Sequence, residues 1–176
     1  MKKIALIAAV ASVFSTSVLA NEIEKKPVQV FSVGYANSSV EEYGYSLPDD
    51  AKGFNLKYSK TFENNFGLVG SFTYTNLDKT YYDANLELTY WSLMAGPSVK
   101  LGDRVNLYGL LGFSYGKVDA KNSWLTYSDN DNSIAAGVGA QFYITDNFAI
   151  DASYEYTEFS GDVEVGTWSV GAGYRF

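Results

Sequence analysis

Four charged side chains that fall within alternating segments carry most of the chemical potential of this chain: Lys57, Asp151, Glu155 and Arg175. Asp151 and Glu155 stand two strand periods apart, so both project from one face of a strand. A carboxylate pair is the equipment of glycoside hydrolysis, provided substrate can reach it. Nucleophilic catalysis has less to work with. The chain holds no His and no Cys, so the usual nucleophile–base pairs cannot be assembled. Asp129-Asn130-Asp131-Asn132 has the opening of a calcium loop. It lacks the required Gly, and Ala140 stands at the distal Glu position, so it reads as a solvated turn. No catalytic residue, metal site or cofactor is expected.

The elements that must position these groups are strands. Nearly every segment alternates with period two. Phe54, Leu56 and Tyr58 oppose Asn55, Lys57 and Ser59. Leu68, Phe72 and Tyr74 oppose Val69, Ser71 and Thr73. Leu107, Leu111, Phe113 and Tyr115 oppose Tyr108, Gly112 and Ser114, and Ile150, Ala152 and Tyr154 oppose Asp151, Ser153 and Glu155. The last segment sets Trp168, Val170, Ala172, Tyr174 and Phe176 against Ser169, Gly171, Gly173 and Arg175. Segments near Phe31–Tyr35, Leu86–Leu101 and Ile134–Ile144 bring the expected count to eight strands. Pro97 is awkward there, because it removes a ladder hydrogen bond.

Connections alternate in length. Residues 62–65, 102–104 and 145–147 form short turn clusters, whereas 37–51, 76–83, 119–132 and 160–162 are polar and mostly longer. That rhythm fits an all-β, eight-stranded antiparallel up-and-down transmembrane β-barrel with tight periplasmic turns and larger external loops. A soluble lipocalin-like barrel would turn its apolar face inward instead. Here the apolar face is nearly free of charge and the opposite face is rich in Gly and Ser, so lipid is the expected exterior. Lys57, Asp151, Glu155 and Arg175 then fall inward, as a polar network in the barrel interior. A barrel of eight strands is filled by its own side chains. A paired structural network is therefore favoured over a proton or ion path, and substrate has no access to the carboxylates.

The N-terminus supports export. Lys2 and Lys3 precede the apolar stretch Ile4–Val13, and Val18-Leu19-Ala20 offers a cleavage site. Residues 1–20 are expected to be a cleaved signal peptide and 21–176 the barrel domain. The apolar stretch is short for a membrane anchor. Loss of Lys2 and Lys3 takes the formal charge from −7 to −9, which argues against nucleic acid as a partner.

Several segments resemble the Ail/OmpX/PagC/Lom family, most closely its OmpX members. They are Gly53–Tyr58, Gly70–Thr75, Ala95-Gly96-Pro97, Leu107-Tyr108-Gly109, Val165–Trp168 and Gly171–Phe176. The resemblance covers essentially the whole chain after the signal and includes Pro97. It implies a monomeric outer-membrane barrel in contact with lipid and lipopolysaccharide, with surface roles in adhesion, host-cell invasion or serum resistance. It also implies that Ser169, Gly171, Tyr174 and Phe176 form a C-terminal insertion signal for the outer-membrane assembly machinery. A purely structural role in envelope integrity and, lowest, an outer-membrane enzyme are the alternatives.

Any recognition then belongs to the external loops. Their aromatic residues Tyr43, Tyr45, Tyr81, Tyr82, Trp124, Tyr127 and Phe159 are candidate contacts to host surface or serum proteins. Anchoring at the lipid headgroups explains them equally well. In adhesive family members, basic residues near the loops are associated with heparin-like polymers. Glu41, Glu42, Asp49, Asp50, Glu158, Asp162 and Glu164 make these loops acidic, so polyanions are not expected as partners, while protein partners stay open.

Overall fold

The structure is a computed structural model that describes residues 27–42, 45–46, 50–81, 84–122, 125–160 and 163–176. The expected signal peptide lies outside the described residues. Eight long strands and one short one follow in chain order: β1 Val28–Glu42, β2 Tyr45–Ser46, β3 Ala51–Thr61, β4 Phe66–Tyr81, β5 Ala84–Leu101, β6 Val105–Asn122, β7 Leu125–Tyr143, β8 Phe148–Phe159 and β9 Val163–Arg175. Each long strand pairs antiparallel with the next, and β9 returns to β1, so the sheet closes. The two-residue β2 only extends β1, through Glu41↔Ser46 and Glu42↔Tyr45.

Alternation settles which face is which. Lys57 is 2% exposed and Glu155 1%, whereas Phe113 is 73% and Ile134 70% exposed. The exterior is a continuous apolar wall that water would not tolerate; hydrocarbon is the solvent that fits it. Aromatic side chains form rows across this wall. Tyr115, Trp91, Tyr74, Phe54 and Tyr35 are successive cross-strand partners from β6 round to β1. Phe148, Tyr174, Phe31 and Tyr58 form a second row from β8 to β3. Trp91 stacks on Tyr115 at 5.8 Å, and Tyr174 on Phe176 at 6.3 Å.

Two short turns use residues suited to left-handed backbone: Asn65 at φ 66° and Gly102 at φ 61°. Pro97 sits within β5. The β4 ladder runs unbroken through Leu68↔Pro97, while pairing to β6 passes from Ala95↔Leu111 to Ser98↔Tyr108. The missing N–H thus removes bonding on the β6 side alone. Val99 shares the outward parity of Leu93 yet is buried.

The far ends of the strands differ from the expected loops. Most of residues 37–51, 76–83 and 119–132 is strand, not loop. Asp129–Asn132, expected to be a solvated turn, lies inside β7 and pairs with Gly116, Lys117 and Val118 of β6, together with Tyr115. The strands continue because each has a partner for its ladder, whatever its side-chain polarity. β4 to β7 are the longest of the described strands, at 16, 18, 18 and 19 residues. The β3–β4 ladder stops at Lys52↔Asn76, and the β7–β8 ladder at Ala135↔Thr157. Four strands therefore project beyond the rest of the barrel.

The wall makes a direct prediction. Leu111→Arg, midway along β6 on the outer face, should lower folding stability in lipid vesicles by about 2–4 kcal/mol, measured by urea titration. A loss below about 1 kcal/mol would mean that Leu111 does not face lipid.

Candidate functional site

The inward parity brings Lys57, Asp151 and Glu155 together in mid-barrel, each held by neighbours on other strands. Lys57 Nζ donates to Asp151 Oδ1 at 2.8 Å, to Asn55 Oδ1 at 2.6 Å and to Ser169 Oγ at 3.0 Å. Tyr108 Oη reaches over β7 and shares its proton between the two Asp151 oxygens, at 3.0 Å each. Gly139 makes room for that ring, because a Cβ there would lie 2.4 Å from it. Glu155 accepts from Thr73 Oγ1 at 2.7 Å and from Ser92 Oγ at 2.9 Å. Asn55 links the two carboxylates' surroundings by donating to Ser71 and Thr73.

Arg175 does not join this group. It lies at the periplasmic mouth with its guanidinium 5.0 Å from the Tyr143 ring centroid, and Lys100 approaches the same ring at 5.8 Å. Its parity is inward, but it is the last residue of β9, several rows below Asp151. Asn55, Tyr108, Thr73 and Ser92 were not singled out in the sequence. Parity alone places Asn55 beside Lys57; the rest depends on register across strands distant in sequence.

Such a network can fill and lock a lumen. It is poorly suited to turnover, since Asp151 and Glu155 are each 1% exposed and both are engaged. Removing one member should be costly. Lys57→Met leaves Asp151 buried without its cation and should cost about 3–5 kcal/mol in a urea titration. The paired change Lys57→Met with Asp151→Leu should recover most of that loss. A double variant as weak as the single one would mean that the pair is not coupled.

The extracellular end is built differently. Ladder parity turns Leu88, Tyr90, Gly116, Val118, Asp129 and Asp131 toward the barrel axis. Phe159, expected on the exposed rim, also turns inward: it shares the parity of Glu155, is 8% exposed, and meets Tyr90 edge-on at 6.3 Å. It therefore packs with Tyr90 and Val165 inside the barrel mouth instead of standing on the exposed rim. Asp131 accepts the Ser160 N–H at 2.9 Å, which holds its carboxyl below the ordinary aspartate range. Lys117 on the outer face pairs with Asp119, which raises its pKa. Tyr43, Tyr82 and Trp124 lie outside the described residues, as do the side chains of Tyr45, Tyr81 and Tyr127.

At the closing seam, Ser169 faces inward to Lys57 and Ser153, Gly171 pairs with Gly34, and Tyr174 and Phe176 face outward.

Comparison with known proteins agrees with this architecture. The outer membrane protein beta-barrel domain model matches residues 6–176. The Attachment invasion locus protein of Yersinia enterocolitica is 46% identical over 82% of this chain and 84% of that protein. Outer membrane protein X of Enterobacter cloacae is 38% identical over the full length of both. The Virulence membrane protein PagC of Salmonella typhimurium is 29% identical over 93% of this chain and 95% of its own. The crystal structure of Ail of Yersinia pestis, in complex with the heparin analogue sucrose octasulfate, superposes with a TM-score of 0.81 at 42% identity. It covers 86% of this chain and 100% of Ail. With a closed antiparallel barrel, an apolar outer wall and relatives of this kind, the chain belongs to the outer membrane protein β-barrel domain family, as a Gram-negative outer-membrane barrel of the Ail/OmpX/PagC type.

Proposed function

We propose that this chain is a non-catalytic recognition protein of the bacterial surface, acting in attachment to host cells or serum proteins. The observation that carries the reading is the projecting sheet. Strands β4 to β7 extend past the β3–β4 and β7–β8 ladders, which among the described residues leaves the outer parts of β4 and β7 with an edge that has no ladder partner. An open edge offers main-chain hydrogen bonds to an incoming chain, and side chains along it add selectivity. The Yersinia relatives are attachment invasion locus proteins, which supports the same role. The absence of His and Cys from the sequence, and the inaccessibility of Asp151 and Glu155, support a role without turnover.

The ligand class differs from a polyanion. The Ail complex holds a heparin analogue. Here Glu164 is the cross-strand neighbour of both Glu41 and Glu158 at the outer rim, and Asp129 and Asp131 lie on β7. Like charges repel a sulfated polymer, so a protein partner fits this surface better. Lipid and lipopolysaccharide surround the wall, the protein acts as a monomer, and Ser169, Gly171, Tyr174 and Phe176 serve as the insertion signal read by the assembly machinery. Residues 1–20 are removed on export, and intact-mass measurement of the purified protein should place Asn21 at the N-terminus. Retention of residues 1–20 would contradict that cleavage.

The recognition reading is tested by shortening the projection. Leu77 faces Leu88, and Val118 faces Asp129. Replacing residues 78–87 and 119–128 each by an Asn-Gly turn closes both hairpins at those pairs. The shortened barrel should keep its heat-modifiable gel shift and lose most binding of intact bacteria to host cells or serum proteins. Full binding by the shortened barrel would refute the reading. Blank binding by the parent protein, with altered detergent sensitivity on deletion, would favour the structural envelope role.

A further inference from the structure

The projecting strands and the shorter half of the barrel enclose a cavity of about 150 Å³ at the extracellular mouth. Tyr90, Phe159 and Val165 form its apolar floor, each less than 10% exposed. Leu88 and Val118 wall it on the side of the projecting sheet, and Val118 is 36% exposed. Asp129 and Asp131 edge it on β7. The polar network ends below this floor, at the bond between Tyr90 Oη and Thr157 Oγ1.

From this arrangement we infer that the mouth is a binding cup for one apolar side chain of a protein segment flanked by basic residues. The volume suits an aliphatic or aromatic side chain, not a folded surface. Asp131, which stays charged while it accepts the Ser160 N–H, sets the sign of the flanking charge. Lys117, also at the rim of the cavity, is engaged by Asp119 on its own strand. An apolar anchor in a desolvated pocket beside complementary charge is how small interfaces concentrate their affinity. The inference rests on the recognition reading and adds the chemistry of the partner.

The probe is the peptide acetyl-Lys-Phe-Lys-amide carrying 4-fluorophenylalanine, titrated against full-length mature protein in phosphatidylcholine nanodiscs and followed by fluorine NMR. Saturable binding is expected, weakening as salt rises. Val118→Trp, which fills the cup, should abolish it. The pair Asp129→Asn and Asp131→Asn should weaken it about tenfold at low salt. The matching peptide with Glu in place of Lys should bind at least tenfold more weakly. The gel shift verifies each variant, and the Asn pair keeps the Ser160 bond available, so one altered barrel at least should fold. No saturable binding, an unchanged Val118→Trp variant, or equal binding of the acidic peptide would each overturn the cup. A blank titration together with lost host binding in the shortened barrel would remove the cup and leave the recognition reading standing. Peptide binding with undiminished host binding in the shortened barrel would do the reverse.

Discussion

A backbone amide in hydrocarbon has no solvent to bond to, so the ladder between β1 and β9 decides whether the rest of this molecule can stand. It runs from Val30↔Arg175 to Glu42↔Val163, and Phe176 and Gln29 exchange N–H···O bonds beyond its lower end. Closure joins the described strands into a shape whose membrane-embedded part has each strand paired on both sides. It also dictates what each side chain does. One parity must satisfy lipid, which explains Leu93, Leu111, Phe113 and Ile134. The other must fill a narrow lumen and satisfy itself, which explains the bonds from Lys57, Tyr108, Thr73 and Ser92 to Asp151 and Glu155. The terminal aromatic residues serve the same seam: Tyr174 pairs with Phe31, and Phe176 stacks beside it on the outer face.

The requirement for a partner lapses where water returns. From the upper part of the apolar wall, where Ile134 sits, β7 continues beyond Ala135 to Leu125 without a ladder to β8, and β4 continues past Asn76 without one to β3. An open edge in water is affordable, and here it carries polar and charged residues. Asp129, Asn130, Asp131 and Asn132 alternate along β7, and Asp131 receives the Ser160 N–H from beyond the end of β8. Charge along an edge discourages indiscriminate pairing with other chains. The half of the barrel that stops early exposes the concave side of the half that continues. That asymmetry creates both the edge and the cup, so structural and recognition features share one origin.

The membrane-embedded part of this fold was legible in the sequence because the lipid imposes period two. Phe54 to Ser59 alternates without exception, and the faces follow from it. Of the projecting part, β5 was legible from Leu86 on, but the outer ends of β4, β6 and β7 were not, since polarity no longer alternates there. Asp129–Asn132 has the composition of a turn and is held as strand by β6. Phe159 was misplaced for a different reason: its aromatic character and late position suggested a rim. Counting parity onward from Glu155 through Thr157 gives the inward direction that the structure shows. Arg175 has the right parity and the wrong height, and height depends on register between strands. The interior network was visible as a set of charges, but its hydroxyl and amide members join it only through pairs such as Tyr108↔Gly139 and Asn55↔Thr73.

The central claim is a closed barrel whose long strands project outward from the cell. The sequence has no Cys, so single-cysteine labelling has no background. Intact cells carrying Asn130→Cys, Phe113→Cys or Asp103→Cys are treated with a membrane-impermeant maleimide. Strong labelling is predicted at position 130 on projecting β7, none at 113 on the lipid-facing wall, and labelling at 103 in the turn after β5 only once the outer membrane is permeabilised. Labelling of position 103 on intact cells, or protection of position 130, would contradict the account.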